Sequence, residues 1–424
     1  MKKVLVISYY WPPAGGISVL RTLKIVKYLR DFGWEPVVFV PSNAHYPYLD
    51  PENEKDVPED LIVLKHPILE PFKLFKFLSR RKKDQPLNSI VQVRDRKPSA
   101  VDKLGIWIRG NFFIPDARSL WIKPSVKFLV NYLEHNPVDA IFSDGPPHTN
   151  TYIANLVKKR VDVPWLSDFQ DPWTQVDYYK MLSIGNRAHR KHSKMEQECF
   201  ENASKITIAS PSWKTDLEGI GAQNVDVIYY GYDEDDFKNL QKEDSDYFDI
   251  VHIGLLGIDR HPQELIKILR EINFTKPIRL LLAGQIDVSI EQELSELKSN
   301  VAIEILGTIS RKKALQLAFN ADLLLLPLNK AENANGRLPG KLYEYLRTYN
   351  PILALGPLES DAARILTDTK SGICLEYSEE EKQKDFLEKL IQGSIVFEAD
   401  TVKVKEFSNF AQTKKIATYL DQIV

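Results

Sequence analysis

The chain has 424 residues, of which 43% are hydrophobic and 27% are charged, and its formal net charge is -2. This length exceeds what one ordinary hydrophobic core organises, so at least two globular domains are expected. The nearly neutral charge gives no support for a nucleic-acid partner. The two cysteines, Cys199 and Cys374, are too far apart in sequence for a disulfide framework or a cysteine zinc site, which fits a reducing cytoplasm.

The first apolar run, Val4–Ser8, follows a basic start and ends before Trp11-Pro12-Pro13. It is too short for a signal-peptide core or a membrane span, and no later run reaches the length of a spanning helix. We interpret it as a buried first strand, followed by a helix over 20–30 and a strand over 35–41. Further strands are predicted over 139–143, 165–168, 205–209 and 225–229, with a helix over 149–159. This alternation predicts one doubly wound parallel sheet.

After Tyr230-Gly231-Tyr232 the composition becomes acidic and polar, which predicts a linker over 233–247. The alternation then restarts, with strands predicted over 248–254, 278–284, 301–307, 322–327 and 351–355, and helices over 262–272, 290–298, 312–320 and 340–348. The expected fold class is α/β, with two Rossmann-like doubly wound domains, 1–232 and 248–405, that face each other across a cleft. A final helix over 406–424 is expected to pack back on the first domain.

The segment from Pro327 to Asp361 carries the most specific chemical pattern. A strand is followed by a polar loop, and Pro339 and Gly340 mark a helix start. Backbone amides at that start, with Lys341 in the first turn and Arg337 just before it, suit a phosphate or diphosphate. Glu344 lies one turn further and suits a ribose diol. The alternative is that Lys341 and Glu344 form an ordinary surface pair three residues apart.

This segment resembles the donor-binding region of GT-B glycosyltransferases of family 4, where a P-x-K-x-x-E block opens the donor-binding helix. Pro339, Lys341 and Glu344 match that block. The resemblance implies that Lys341 faces phosphate and that Glu344 faces the nucleotide ribose. The stretch YYWPPAGGISVL is similar to the family's first strand and glycine loop. This similarity implies that Gly15 and Gly16 let the backbone approach the transferred sugar and the diphosphate.

A second stretch, FSDGPPHTN through DFQDPW, is similar to the first domain of a bacterial branch of the family, in which DFRDPW is usual. Gln170 takes the place of the usual arginine. Asp144, Asp168 and Asp171, together with His148, are expected at the ends of successive strands. They are candidates for a catalytic carboxylate or for binding an acceptor hydroxyl. The alternative is that Asp168 and Asp171 cap loops and that His148 caps its helix.

The chain also departs from the family pattern. Gly336 stands where the family has a glutamate that contacts the transferred sugar, so the sugar is not inferable from the resemblance. Leu255 stands where an arginine is common, which makes Arg260 the best replacement cation for the diphosphate, with a solvated surface arginine as the alternative. Gly307 and Thr308 correspond to the loop that approaches the nucleotide base, with a plain turn as the alternative.

A basic region covers residues 71–127, where fourteen Lys and Arg stand against four Asp, interleaved with aromatic residues. Such a composition suits docking on an anionic membrane surface, where a lipid-linked acceptor would reside. A solvated insertion with a few aromatics in the core is the alternative. Nucleic acid is disfavoured as a partner because no DNA- or RNA-binding module accompanies the charge.

The resemblance implies a retaining glycosyltransferase of the hexosyltransferase type, which uses a nucleotide-sugar donor and a glycan or lipid-linked acceptor. The resemblance also implies a role in the synthesis of a cell-surface polysaccharide or glycolipid. The protein is expected in the cytoplasm or peripherally on the inner face of the membrane. No cofactor and no metal are expected, because Arg260 and Lys341 would stabilise the leaving diphosphate. The acidic run 233–236 is interpreted as a solvated linker loop rather than a metal site.

Two rival functions remain open. A sugar-nucleotide epimerase or hydrolase of the same fold would share the donor pocket and need no acceptor. A catalytically silent sugar-nucleotide-binding subunit is compatible with the missing glutamate at Gly336. A dinucleotide dehydrogenase is disfavoured because neither predicted sheet opens with G-x-G-x-x-G.

Overall fold

The computed structural model describes residues 1–70, 100–271, 276–297, 301–330 and 334–424. The chain divides into two units. The first unit contains Met1–Tyr230 and Asn409–Val424, and the second contains Gly231–Ser408. Each unit is built on one parallel sheet.

The sheet of the first unit has the strand order β3-β2-β1-β4-β5-β6-β7. Its strands are β1 Lys2–Ile7, β2 Trp34–Pro41, β3 Ile62–His66, β4 Ala140–Gly145, β5 Trp165–Phe169, β6 Lys205–Ile208 and β7 Val225–Val227. The helices are α1 Ile17–Leu29, α2 Ala100–Phe112, α3 Ile122–His135, α4 His148–Val161, α5 Asn186–Asn202 and α6 Pro211–Gly219. The strand order reverses between β1 and β4, because the chain builds outward from β1 to β3 and then returns to the other side of β1.

The first strand shows why this sheet is buried on both faces. Successive side chains of a strand point to opposite faces. Leu5 and Ile7 belong to one apolar cluster, while Val4 and Val6 belong to another. A continuous apolar run therefore serves two cores, as expected for a parallel sheet covered by helices on both sides.

The sheet of the second unit has the strand order β10-β9-β8-β11-β12-β13. Its strands are β8 Phe248–Ile253, β9 Ile278–Ala283, β10 Val301–Gly307, β11 Leu323–Pro327, β12 Ile352–Leu355 and β13 Gly372–Leu375. The helices are α7 Gln263–Glu271, α8 Val288–Ser295, α9 Arg311–Asn320, α10 Lys341–Thr348, α11 Asp361–Thr369, α12 Glu380–Ile391 and the short α13 Thr401–Lys405. Here the strand order reverses between β8 and β11.

The last helix, α14 (Asn409–Ile423), belongs to the first unit. Its buried residues Ile416, Ala417 and Leu420 share one apolar cluster with Leu23 and Val26 of α1. The spacing of these three residues places them on one face of the helix, and that face supplies part of the first unit's core.

The acidic segment after Tyr232 differs from the solvated linker expected from its composition. It lies within the second unit. Asp233 is almost fully buried and caps a short turn over Glu234–Asp236. Glu234 accepts a hydrogen bond from Arg347 at 2.7 Å, and Asp236 accepts one from Arg311 at 2.5 Å. The acidic charges thus pair with arginines of the second unit.

The basic region predicted over 71–127 lies partly outside the described residues, at 71–99. Its remainder includes α2 and the first six residues of α3, and the aromatic residues there divide between core and surface. Trp121 is fully buried, whereas Trp107 and Phe112 are 43% and 67% exposed. No helix in the described part of the chain is both long enough and apolar enough to cross a bilayer.

Candidate functional site

The second sheet creates a crevice where its strand order reverses. The loop after β8 leads into α7 and carries Arg260, and the loop after β11 leads into α10, which begins at Lys341. In open parallel sheets, ligands bind at the carboxyl ends of the strands beside such a reversal. The fold therefore places both candidate cations where a ligand would be expected.

Lys341 is half-buried, and its ammonium contacts two groups of β8. Its Nζ donates a hydrogen bond to the carbonyl oxygen of Ile253 at 2.6 Å and lies 3.5 Å from Nε2 of His252. Burial, and then the charge of Arg260, lower the pKa of Lys341 to about 7. An incoming anion would stabilise the charged ammonium and reverse this shift.

The ring of His252 is fully buried in β8, and its Nδ1 lies 3.0 Å from the carbonyl oxygen of Leu325. Burial, and then the nearby Lys341 ammonium, hold the pKa of His252 well below its usual range. A neutral ring that donates from Nδ1 to this carbonyl presents the lone pair of Nε2 to Lys341. His252 thereby orients the Lys341 ammonium, and its neutral ring carries no positive charge that would itself attract an anion.

Two glycines keep the backbone next to Lys341 free of side chains. A Cβ on Gly254, whose φ is +109°, would lie 3.1 Å from Lys341 Nζ. A Cβ on Gly284, whose φ is +128°, would lie 2.2 Å from the carbonyl oxygen of Gly254. Only glycine meets both the positive φ and this close approach. The carboxyl ends of β8 and β9 therefore form a bare surface that a ligand can approach closely.

Glu344 does not pair with Lys341 as a surface pair. Its Oε1 accepts a hydrogen bond from Arg311 at 2.6 Å, and Arg311 also donates to Asp236 at 2.5 Å. The side chains of Glu344 and Asp236 are 18% and 5% exposed. Glu344 is thus fixed in place by a guanidinium that is itself anchored by a second carboxylate.

Arg260 is mostly buried rather than solvated, with 11% of its side chain exposed. Its guanidinium donates to Asp259 at 3.1 and 3.4 Å. Asp259 in turn accepts from the Asn329 side chain at 2.5 Å, and its carbonyl accepts from the Lys330 amide at 2.8 Å. This network ties the loop after β8 to the loop after β11, on either side of the crevice.

The other predicted donor residues occupy different parts of the second unit. Gly336 is buried in a short turn over Ala334–Gly336, and Arg337 is half-buried directly after it. Gly307 ends β10 with a φ of +60° and accepts a hydrogen bond from the Gly284 amide at 2.7 Å. Thr308 is exposed beside it. Gly307 therefore extends the bare edge formed by the two preceding glycines.

In the first unit, the glycine pair lies between β1 and α1, beside the reversal of that sheet. Gly16 is exposed at the N-terminus of α1, with a φ of +97°, and no side chain caps this helix. Gly15 donates its amide to the carbonyl of Tyr48 at 2.9 Å, and a Cβ there would lie 3.1 Å from Cβ of Asp50. The uncapped amides of α1 are suited to an anionic group.

The structure places Asp168 in the interior of the first unit. The residue is fully buried, and its carboxylate takes two hydrogen bonds from Arg21, at 2.7 and 2.8 Å, and one from Thr207 at 2.7 Å. A general base must reach the proton that it abstracts. Asp168 is occupied by these partners in the interior of the first unit, and this geometry favours a structural role.

Asp144 is also buried and engaged by protein partners. It is 1% exposed and accepts hydrogen bonds from Ser8, Thr22 and Asn150 at 2.7, 2.5 and 2.7 Å. Burial raises its pKa to about 6, although the three hydrogen bonds act in the opposite direction. These partners come from the end of β1, from α1 and from α4. Asp144 thus joins three elements around the reversal of the first sheet.

His148 and Asp171 remain candidates with different surroundings. His148 begins α4, stacks on Trp173 with ring centroids 4.9 Å apart, and is 6% exposed. Burial lowers the pKa of His148 to about 4, so its ring is neutral at pH 7. Trp173 is 3% exposed, which makes it a packing partner and not an open platform for a sugar. Asp171 is half-buried in the loop after β5, beside the buried Gln170.

Several residues that organise these sites were missed by sequence reasoning. Arg311 holds Glu344, and His252 lies against Lys341. Arg21 neutralises Asp168. Arg21 did carry a signal, because it interrupts the buried apolar stripe of α1 and a buried arginine requires a partner. Among the residues that the structure describes, no group of three His, Cys, Asp or Glu is arranged to hold a metal ion.

No protein-family model and no curated protein sequence matches the chain. Solved structures do match it. Anabaena Alr3699/HepE in complex with UDP is similar at a TM-score of 0.63 and 14% identity over 100% of both chains. A glycosyltransferase from Rickettsia africae ESF-5 is similar at a TM-score of 0.60 and 14% identity, over 100% of this chain and 98% of that chain. A putative UDP-N-acetylglucosamine 2-epimerase from Listeria monocytogenes is similar at a TM-score of 0.56 and 10% identity, over 99% of this chain and 96% of that chain. The chain therefore has the α/β fold of the GT-B type.

Proposed function

We propose that this protein is a glycosyltransferase that takes its sugar from a nucleotide-sugar donor. The observation that carries the proposal is the position of Lys341 and Arg260, two cations beside the reversal of the second sheet, next to a glycine-lined edge. A half-buried lysine in a crevice, with a pKa lowered to about 7, is typical of a functional site. A diphosphate supplies the negative charge that this arrangement lacks.

The other parts of a nucleotide diphosphate find matching groups in the same unit. Glu344, fixed by Arg311, would accept hydrogen bonds from the ribose hydroxyls, and Gly307 with Thr308 would lie near the base. The HepE structures contain UDP, and one contains UDP and glucose. Because the fold is shared with those proteins, a uridine nucleotide is the first donor to test.

In the proposed reaction, the bond between the anomeric carbon and the diphosphate oxygen breaks, and a bond from that carbon to an acceptor hydroxyl oxygen forms. The proton of the hydroxyl passes to the leaving diphosphate, whose charge is stabilised by Lys341, Arg260 and the amides of α10. Asp171 and His148 would position the acceptor, a glycan or a lipid-linked saccharide. The configuration would be retained, and neither a metal ion nor a cofactor takes part.

This activity would serve cell-surface polysaccharide or glycolipid synthesis on the cytoplasmic side of the membrane. The test is a thermal-shift screen of nucleoside diphosphates and nucleotide sugars, followed by mass spectrometry of the reaction with lipid-linked and free glycan acceptors. A shift by one nucleotide family and a product heavier by one sugar support the proposal. Absence of any nucleotide binding by the folded protein would refute it.

A sugar-nucleotide epimerase is the second candidate function, because the putative epimerase from Listeria monocytogenes has a similar structure. An epimerase converts the nucleotide sugar when no acceptor is present. Formation of a new nucleotide sugar without acceptor would therefore replace the transferase proposal. Binding of a nucleotide sugar with neither sugar transfer nor epimerisation would indicate a catalytically silent binding subunit.

A further inference from the structure

Helix α2 presents an apolar surface to solvent. Leu104, Trp107 and Phe112 are 56%, 43% and 67% exposed, and the rings of Trp107 and Phe112 pack edge to face with centroids 5.6 Å apart. Met181, in the turn that packs against α2, is 52% exposed. Large apolar side chains that gather at one place on a surface mark an interaction site.

Helix α5 places four cations beside this apolar surface. Arg187, Arg190, Lys191 and Lys194 recur at helical spacing, so they share one side of the helix, and all four are exposed. No ion pair in the described part of the chain involves any of the four. The opposite side of α5 carries Ala188, His192 and Met195, which are buried.

The two helices are fixed to each other. Asn111 at the end of α2 donates to the carbonyl oxygen of Ser183 at 3.1 Å and accepts from the amide of Gly185 at 2.8 Å, directly before α5 begins. Nε2 of His192 on α5 lies 3.4 Å from the carbonyl oxygen of Gly110. The apolar side chains of α2 and the cations of α5 are therefore held as neighbours on the first unit.

The charge at this place is predominantly positive. Helix α2 (100–112) and residues 177–195 together contain seven Lys and Arg against two acidic residues, Asp102 and Asp177. The whole chain is nearly neutral, with a formal net charge of -2, so this concentration is local. A ligand that matches it must be anionic, and it must also accept exposed apolar side chains.

We propose that this basic–apolar surface, formed by Lys103, Leu104, Trp107, Phe112, Met181, Arg187, Arg190, Lys191 and Lys194, docks on an anionic lipid bilayer. Headgroup phosphates meet the cations, while Trp107, Phe112, Leu104 and Met181 enter the boundary between headgroups and acyl chains. Nucleic acid offers the charge but no apolar layer for Leu104 and Met181. The sequence interpretation had placed membrane contact in 71–127 alone, whereas four of these nine residues come from α5.

The experiment is flotation of the full chain with vesicles of phosphatidylcholine containing phosphatidylglycerol, at low and high salt. Wild-type protein floats with the anionic vesicles and is released by salt. The variant R187Q/R190Q/K191Q/K194Q binds with a partition coefficient lowered by about two orders of magnitude or more, since each cation near an anionic surface contributes about fivefold, or about 1 kcal/mol. The control K312Q/K384Q/K403Q/K405Q removes equal charge from exposed positions of the second unit and floats like wild type.

Insertion of the apolar side chains is measured separately, with lipids brominated near the headgroup. Bromine quenches the tryptophan emission of wild type on binding, and the substitution W107F removes most of that quenching while the protein still floats. Failure of wild type to float with anionic vesicles, or equal flotation of the fourfold variant, overturns the proposal. Binding to duplex DNA in preference to vesicles would reassign the surface to nucleic acid. Nucleotide binding, measured on the same variants, reports on the donor site independently of this result.

Discussion

Glu344 is held by Arg311, thirty-three residues earlier in the chain, through a 2.6 Å hydrogen bond. The lysine one turn before Glu344 makes its contact elsewhere, with the carbonyl of Ile253. The two conspicuous charges of α10 therefore act through separate partners. Their proposed roles, ribose for Glu344 and diphosphate for Lys341, can be tested independently.

Replacing Lys341 by alanine should weaken binding of UDP and of inorganic pyrophosphate alike. One charge-assisted hydrogen bond is worth about 1.5–3 kcal/mol, so the dissociation constants should rise by about 10- to 150-fold. Titration calorimetry measures both ligands. Unchanged pyrophosphate affinity would remove Lys341 from the diphosphate site.

Replacing Glu344 by glutamine, or Arg311 by methionine, should weaken binding of UDP and leave pyrophosphate binding unchanged, because pyrophosphate has no ribose. Arg311 is a positioning residue that acts through Glu344. The expected loss is about tenfold for either variant. Equal loss for pyrophosphate would show that the change disturbs the whole crevice instead of the ribose contact.

Ligand binding should be coupled to proton uptake at Lys341. In the free protein the pKa of Lys341 is about 7, so its neutral fraction grows as pH rises above that value. A bound diphosphate favours the charged ammonium and raises the pKa, so affinity should fall as pH rises through 7. Calorimetry in buffers of different ionisation enthalpy should show uptake of about half a proton at pH 7 and nearly one at pH 8. The variant Lys341→Arg stays charged and should show none at this site.

Gly284→Ala should destabilise the second unit strongly. The added Cβ would lie 2.2 Å from a backbone oxygen, at a φ of +128°. The expected loss is at least about 3 kcal/mol. Gly393→Ala is the matched control in the same unit, since its φ is +70° and nothing lies within 4 Å of the added atom. It should cost about 1–2 kcal/mol. Similar melting temperatures for the two variants would contradict the close approach of β8 and β9.

Asp168→Asn and Asp171→Asn should fail in different ways. The first leaves the Arg21 guanidinium buried without a counter-charge, which costs about 3–5 kcal/mol and lowers the melting temperature. The second should melt near wild type and lose sugar transfer by about 100-fold or more. Thermal melting and a transfer assay separate the two effects. An Asp168→Asn protein that melts normally but is inactive would restore the catalytic assignment.

The doubly wound architecture was predictable because strands buried on both faces read as unbroken apolar runs, as in FDIVHI and LLLLP. The edge strand β3, with the sequence IVLKH, was missed. Its burial is only partial, and its pattern resembles neither a buried strand nor a clean alternation. Edge elements owe their conformation to the neighbour that they pair with, and a local pattern does not show that neighbour.

The candidate site was predictable at Lys341 and Glu344, because the start of one helix carries the whole motif. It was not predictable where the partners of a residue are distant in sequence. Asp168 and Asp171 look alike in sequence, as carboxylates near the end of a strand. Asp168 is fully buried and pairs with Arg21, 147 residues away, whereas Asp171 is half-buried. Burial and long-range pairing decide whether such a carboxylate is structural or available to a substrate.

The return of α14 to the first unit has a consequence for synthesis on the ribosome. Residues 1–230 make up most of that unit, yet the apolar cluster beneath α1 is completed by Ile416, Ala417 and Leu420. These side chains lie in the last sixteen residues, Asn409–Val424. During translation, the first unit therefore exposes a hydrophobic face while the second unit is synthesised, and its core can close only after α14 has been made.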